Sequence, residues 1–108
     1  MLNVFRIDSR LGISIPKLGK PWTDYSLKEQ SQILSIWEKE RAIIPEKIKE
    51  IEKIVTVKTK ELLEENDVDK MNELNHVIMN YASIINDLNI WFRIEPQLTE
   101  EREEDIAT

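Results

Sequence analysis

The chain of 108 residues contains no cysteine and only one histidine, and its longest hydrophobic runs fall well short of a membrane-spanning helix. Without cysteine it cannot form disulfides, thiolate metal sites or a cysteine nucleophile. The single imidazole, His76, cannot build a multi-histidine metal cage and leaves little scope for a catalytic triad. These absences remove most enzyme chemistries, so we predict a protein that is not an enzyme and carries no cofactor or metal.

The amino-terminal residues lack an apolar run of signal-peptide length, because charges already stand at Arg6, Asp8 and Arg10. We therefore expect a cytoplasmic protein without a membrane partner. The composition is 41% hydrophobic and 33% charged, which is typical of one folded domain rather than a disordered chain. Isoleucine is abundant and alanine scarce, which suggests an AT-rich bacterial or phage genome.

Residues 1–25 are predicted to form an extended N-terminal arm. Both glycines and two of the four prolines lie there, and these residues interrupt regular helices. Leu11, Ile13 and Ile15 alternate with small residues, a pattern that is typical of a short strand. The arm is rich in apolar side chains, so we expect it to pack, either on its own chain or on a neighbouring copy.

Residues 26–94 are predicted to form an all-α domain, in which a helix at about 26–43 precedes a long antiparallel helical hairpin in a three-helix bundle-like arrangement. Ser26 and Glu29 have the spacing of a capping box, which marks the start of the first helix. Pro45 must either kink that helix or end it and begin another. The predicted buried side of the first helix comprises Leu27, Ile33, Leu34, Ile36, Trp37 and Ile44.

The hairpin is predicted to consist of helices at about 45–65 and 68–94. The segment Ile54–Thr59 is rich in β-branched residues, but strong helix formers flank it, so we assign it to the helix. Asn66 is a candidate for the left-handed residue that ends the first of these helices. Asp67 or Asp69 is expected to cap the second.

The last helix carries an apolar seam with strict 3–4 spacing. Val77, Ile84 and Trp91 widen this seam on one side, giving three apolar positions per heptad, which suits a bundle of at least three helices. One hairpin cannot cover such a face, so the first helix and the arm, or a second subunit, must contribute. The seam comprises Met71, Leu74, Ile78, Tyr81, Ile85, Leu88 and Phe92.

Beside the seam runs a semi-polar stripe that we call the amide ribbon. It is a candidate interface, because amides can pair across two helices and fix their register. Trp22 is a further interface candidate, since exposed tryptophans often anchor contacts. The amide ribbon comprises Asn72, Asn75, Met79, Ala82, Asn86 and Asn89.

Two patterns could serve metal chemistry, and both are incomplete. Glu73 and His76 have the Glu-x-x-His spacing of carboxylate-bridged iron sites, but it occurs once and faces away from the seam. Glu61 and Glu64 supply the first half of a Mg²⁺ pattern similar to that of small all-α nucleotide pyrophosphatases, whose second half is missing. A small metal-dependent helical enzyme is therefore the weakest hypothesis.

The remaining hypotheses concern macromolecular partners. Arg6, Arg10, Lys17 and Lys20 lie among the aromatic residues of the arm, a combination that nucleic-acid-binding proteins use. The acidic C-terminal tail, residues 95–108, would repel phosphate, so nucleic-acid binding by a phage or mobile-element protein is the alternative. The leading hypothesis is a helical protein–protein interaction module that self-associates and acts as adaptor, regulator or accessory subunit.

Overall fold

The computed structural model describes residues 4–95, which are mostly helical, with two long helices and a small antiparallel sheet near the N-terminus. The predicted helical class is therefore confirmed. None of these helices combines the length and apolar character that crossing a bilayer requires. In chain order the elements are β1 (Phe5–Asp8), β2 (Ile13–Pro16), a 3-10 turn (Trp22–Asp24), α1 (Leu27–Ala42), α2 (Ile44–Glu64) and α3 (Val68–Phe92).

The described residues divide into two compact units. The first, which we call the arm unit, comprises residues 4–42 together with Ile94 and Glu95. The second is the helical hairpin, Ile43–Arg93. The arm predicted at residues 1–25 thus shares its unit with α1, and most of the predicted acidic tail lies outside the described residues.

The arm contains a β-hairpin rather than a single strand. Strand β2 coincides with the alternating apolar segment of the sequence, whereas β1, which pairs with it antiparallel, was not predicted. Gly12 has a φ of 72°, a conformation that glycine adopts without steric cost. The Asp8 carboxylate accepts the backbone N–H groups of Arg10 and Leu11 at 2.9 and 3.0 Å, which fixes the turn between the strands.

The arm packs on α1 of its own chain. Val4, Tyr25 and Ile33 form a buried cluster, and Phe5 and Trp22 pack against it half-buried. The backbone N–H of Ser14 in β2 donates to the Glu40 carboxylate of α1 at 2.7 Å. Burial of these apolar side chains provides the main stabilisation of the unit, and the hydrogen bond fixes where β2 lies on α1.

Helix α1 begins with the predicted capping box. The Glu29 N–H donates to the Ser26 hydroxyl at 3.1 Å, and the Ser26 N–H donates to the Glu29 carboxylate at 3.0 Å. The predicted buried side was partly wrong, because Leu27 and Ile36 are 39% and 42% exposed. Leu27 is the first helical residue, and Ile36 points about 100° away from its buried neighbour Trp37.

Residues after α3 complete the arm unit. The indole N–H of the fully buried Trp37 donates to the carbonyl of Ile94 at 3.0 Å. Arg41 pairs with the Glu95 carboxylate at 2.6 Å. Both bonds join residues more than fifty positions apart, so the arm unit is built from two separate stretches of the chain.

Pro45 marks a helix break rather than a kink. Helix α1 ends at Ala42, Ile43 is a turn residue, and α2 begins at Ile44. Pro45 lies in the first turn of α2, where its missing N–H costs no helical hydrogen bond. The β-branched segment Ile54–Thr59 is helical as predicted.

The connection between α2 and α3 differs from the sequence prediction in one respect. No described residue other than glycine has a positive φ, so the left-handed conformation predicted for Asn66 is wrong. Glu65 is extended instead, and its carboxylate accepts the N–H groups of Asn66 and Asp67 at 3.1 and 3.0 Å. Of the two predicted caps, Asp67 is the one that forms, accepting from the N–H groups of Asp69 and Lys70.

Candidate functional site: exposed faces of the helical hairpin

The inner face of the hairpin is the predicted seam. From Leu74 to Phe92 every seam residue of α3 is buried or half-buried, whereas Met71, at the start of the seam, is 37% exposed. Lys58 is the polar member of the facing row and lies half-buried, with its ammonium 3.4 Å from the Glu61 carboxylate. The facing positions of α2 recur at the same heptad spacing and comprise Ile44, Ile48, Ile51, Val55, Lys58 and Leu62.

Burial along the hairpin is graded from one end to the other. At the end that joins the arm unit, Ile44 and Leu88 are fully buried and Ile84 is 7% exposed. At the turn end, Leu63 and Val68 are 81% and 67% exposed. Apolar residues near the turn are therefore left in solvent by the described part of the chain, and exposed apolar groups that lie together are typical of interaction sites.

One side of the hairpin carries exposed aliphatic residues on both helices. Ile54 precedes Val55, one of the facing positions of α2, and Val77 precedes the seam residue Ile78. Ile54 and Val77 therefore occupy equivalent heptad positions. In an antiparallel pair of helices equivalent flanking positions fall on the same side. Ile54 and Val77 are each 38% exposed, and Val57, one turn along α2, is 57% exposed. We call Ile54, Val57 and Val77 the aliphatic side.

The aliphatic side includes a shallow groove of about 240 Å³. Ile54 and Val57 form its apolar floor, and Lys53 and Lys58 border it. An apolar surface with a charged border is the usual composition of a protein–protein contact, where the centre is desolvated and the rim stays wet.

The amide ribbon lies on the opposite flank of the seam and is mostly exposed. Met79 is 62% exposed, and Asn89 is the single member that is half-buried. The structure therefore places most of the ribbon in solvent.

Trp22, the other predicted interface residue, contributes to the arm unit. Its ring centroid lies 6.3 Å from that of Tyr25, and its carbonyl accepts the Gln30 side-chain amide at 3.0 Å. A half-buried tryptophan held in this way contributes to packing of its own unit.

The residues considered for metal binding do not converge. Glu73, His76, Glu61 and Glu64 are all exposed. Within residues 4–95 no three histidine or acidic side chains are placed to hold a metal ion together. The arrangement offers no described metal centre, and the absence of enzymatic activity stays a prediction.

The basic residues of the arm are exposed, but one of them is engaged by an aromatic ring of its own unit. The Lys20 ammonium lies 4.6 Å from the centre of the Tyr25 ring, a cation–π distance. Tyr25 is itself buried, and its hydroxyl accepts the Gly19 N–H at 3.1 Å. This tyrosine therefore does not offer a free ring on which a nucleobase could stack.

A perturbed carboxyl group lies at a structural position rather than in a reactive cleft. The pKa of Glu29 is lowered because the Ser26 backbone N–H, and secondly the Ser26 hydroxyl, hydrogen-bond to its carboxylate. The perturbation follows from the capping box of α1 and indicates no acid–base catalysis.

Gln30 is the buried polar residue that the sequence prediction missed. It is fully buried, and its side-chain amide donates to the carbonyls of Trp22 and Tyr25 at 3.0 and 3.2 Å. Gln30 lies three residues before Ile33 and seven before Trp37, and this spacing places it on the same face of α1. Its burial could have been predicted from that spacing.

Comparison with known proteins adds no assignment. The chain matches no protein-family model, no curated protein and no solved structure.

Proposed function

We propose that the chain is a non-enzymatic helical interaction module that self-associates through the aliphatic side of its hairpin. The observation that carries this proposal is the exposure of Ile54, Val57 and Val77 on one side of two adjacent helices. Leaving such a surface in water is unfavourable by roughly 25 cal/mol per Å² of apolar area, and a partner would recover that free energy.

A second copy of the chain is the partner that fits this surface best. Residues at the position of Val77 give α3 three apolar positions per heptad, and this pattern suits helices that pack against more than one neighbour. Two hairpins that pack with their aliphatic sides together would supply those neighbours in a four-helix arrangement. Such an assembly would serve another protein as adaptor, regulator or accessory subunit.

Sedimentation equilibrium of the full chain tests this proposal. We expect the 12.8 kDa chain to form dimers or larger species at high micromolar concentration. Replacing Val57→Glu and Val77→Glu together should weaken association through the hairpin at least about tenfold, since a charge would be buried at each contact. Thr59→Glu, at an exposed position on the opposite flank of α2, adds the same kind of charge and should leave association unchanged.

The same measurement separates the aliphatic side from the amide ribbon. Met79→Glu introduces a charge into the ribbon and should leave association unchanged if the aliphatic side is the interface. If Met79→Glu dissociates the assembly and the double valine variant does not, the proposed surface is wrong. A wild-type chain that stays monomeric at high micromolar concentration would overturn self-association itself.

A further inference from the structure

The β-hairpin of the arm has one edge that no described strand occupies. In an antiparallel pair, the N–H and C=O groups of a residue point to the same side of its strand. The Lys17 N–H donates to the Val4 carbonyl at 2.6 Å, so Val4 points toward β2. With the register Arg6↔Ile15 and Asp8↔Ile13, Arg6 and Asp8 also point toward β2. The backbone groups of Phe5 and Ile7 therefore point away from it.

The outer edge of β2 is closed to further pairing. Ser14 lies opposite Ile7, and its N–H already donates to the Glu40 carboxylate of α1 at 2.7 Å. Pro16 has no N–H to offer. Proteins commonly protect edge strands in these two ways, with proline or with a covering element.

The outer edge of β1 has neither protection among the described residues. Its neighbour in the sheet is β2 alone, and it contains no proline. Ile7, in the middle of this edge, is 74% exposed although it is one of the most apolar residue types. An open strand edge with an exposed isoleucine is a template for pairing with another strand.

The sequence of β1, Phe-Arg-Ile-Asp, is complementary to itself when read in the opposite direction. Because the outward groups belong to Phe5 and Ile7, two β1 strands related by a two-fold axis can pair in three registers. Phe5 opposite Phe5 would put Arg6 opposite Val4, which offers no charge to pair with it. Phe5 opposite Ile7 would put two Arg6 side chains opposite each other, and like charges in such pairs are destabilising. Ile7 opposite Ile7 puts each Arg6 opposite an Asp8, and opposite charges in such pairs are favourable.

We propose that β1 pairs antiparallel with β1 of a second copy, with Ile7 opposite Ile7, to form a four-stranded sheet across a two-fold axis. Each Ile7 gains backbone hydrogen bonds to its counterpart, and the two exposed side chains cover each other. This contact belongs to the arm unit and uses none of the residues of the aliphatic side, so it does not depend on the proposed function of the hairpin.

Charge variants test the register. Arg6→Glu should weaken the pairing at least about tenfold, because a carboxylate at position 6 of each strand would then lie opposite the Asp8 carboxylate of the other strand. Arg6→Lys keeps the charge and should retain dimerisation. Lys17→Glu changes the net charge equally at an exposed residue that follows β2, and it should have little effect. Sedimentation equilibrium is run in the Val57→Glu/Val77→Glu background, so that hairpin association does not contribute.

A backbone variant tests the edge itself. Ile7→Pro removes an N–H that points away from β2, so the intramolecular ladder should persist, and Arg6 already has the extended conformation that a following proline favours. We expect this variant to abolish the dimer while circular dichroism stays that of the parent protein. If Ile7→Pro and Arg6→Glu leave association unchanged, the proposal is overturned.

Cross-linking tests the pairing of the two edges by a second, covalent readout. The chain has no cysteine, so Ile7→Cys creates a single thiol. Directly opposed residues in a hydrogen-bonded antiparallel pair lie about 5.5 Å apart at Cα, within the range that a disulfide spans. Mild oxidation should link this variant at least about tenfold faster than Glu46→Cys, an exposed site on α2. Equal rates would show that the two edges do not meet, as when another segment of the same chain covers β1.

Discussion

At the scale of single residues, Gln30 joins the arm to α1. It is the one polar residue among the fully buried side chains of the described chain, and both of its amide hydrogens are used. The two carbonyls that accept them lie in the segment that leads from the arm into the helix, at Trp22 and Tyr25. A leucine would fill the same space but could not donate a hydrogen bond to either carbonyl. The structure therefore requires a hydrogen-bond donor at position 30, and not only an apolar side chain.

Gln30→Leu is therefore expected to destabilise the protein by about 1–3 kcal/mol, because the buried hydrogen bond to the Tyr25 carbonyl is lost. The Trp22 carbonyl keeps the Tyr25 N–H as a donor at 3.2 Å. Gln32→Leu makes the same substitution at an exposed position of α1 and should change stability by less than about 0.5 kcal/mol. Urea unfolding followed by tryptophan fluorescence compares the two. Equal stability of both variants would show that Gln30 fills space only.

Glu29 makes the start of α1 sensitive to acid. Its pKa is lower in the folded protein than its ordinary value of 4.5, so its ionised form is favoured by folding. Its contribution is complete above pH 4.5 and is lost as the pH falls through the lower folded value. Unfolding midpoints measured from pH 7 down to pH 3 should decline less steeply in Glu29→Gln than in the wild type. Parallel profiles would contradict this role.

At the scale of elements, the hairpin contains residues that look equivalent in sequence but differ in what they stabilise. Leu88 and Leu63 are both leucines of long helices, yet Leu88 is fully buried and Leu63 is 81% exposed. Only the end of the hairpin that joins the arm unit contains fully buried residues. The turn end contributes apolar surface rather than core.

Leu88→Ala should destabilise the protein by about 2–5 kcal/mol, because it removes buried methyl groups and leaves a cavity. Leu63→Ala should cost less than about 0.5 kcal/mol in the monomer. Urea denaturation at low protein concentration, monitored by circular dichroism, gives both values. Similar losses in the two variants would mean that the turn end is covered in solution.

The helices could be predicted from sequence because their signals are local. The capping pair of Ser26 and Glu29, the proline at 45 and the Asp67 cap each act within one helical turn. Strand β1 shows the same local signal as β2, because Phe5–Asp8 alternates apolar and charged residues. The alternation does not reveal its partner, and a strand of four residues forms only by pairing. The seam was predicted from its spacing, but its graded exposure depends on tertiary packing that spacing does not encode.

The candidate surfaces were predictable to different extents. The amide ribbon was identified from heptad positions, and its members are mostly exposed. The aliphatic side required the exposed fractions of Ile54, Val57 and Val77, since buried and exposed aliphatic residues have the same sequence signature. The open edge of β1 required the register of the sheet, because alternate residues point their backbone groups in opposite directions.

At the scale of the whole molecule, the hairpin is an insertion between two stretches of the arm unit. The chain leaves that unit after Ala42 and returns to it at Ile94. The Arg41–Glu95 pair and the bond from Trp37 to Ile94 hold the departing and returning segments side by side. Each unit contains one of the two surfaces proposed for association, β1 in the arm unit and the aliphatic side in the hairpin.

Because the chain leaves the arm unit and returns to it at neighbouring positions, the hairpin could be deleted and replaced by a short linker. A few glycine and serine residues could bridge Ala42 and Ile94, because loop closure over so short a gap costs little conformational entropy. Conversely, α2 and α3 could be lengthened or shortened together. Helical turns added or removed at the turn end would leave the connection to the arm unit unchanged. The length of the chain is thus most easily changed at the turn formed by residues 65–67.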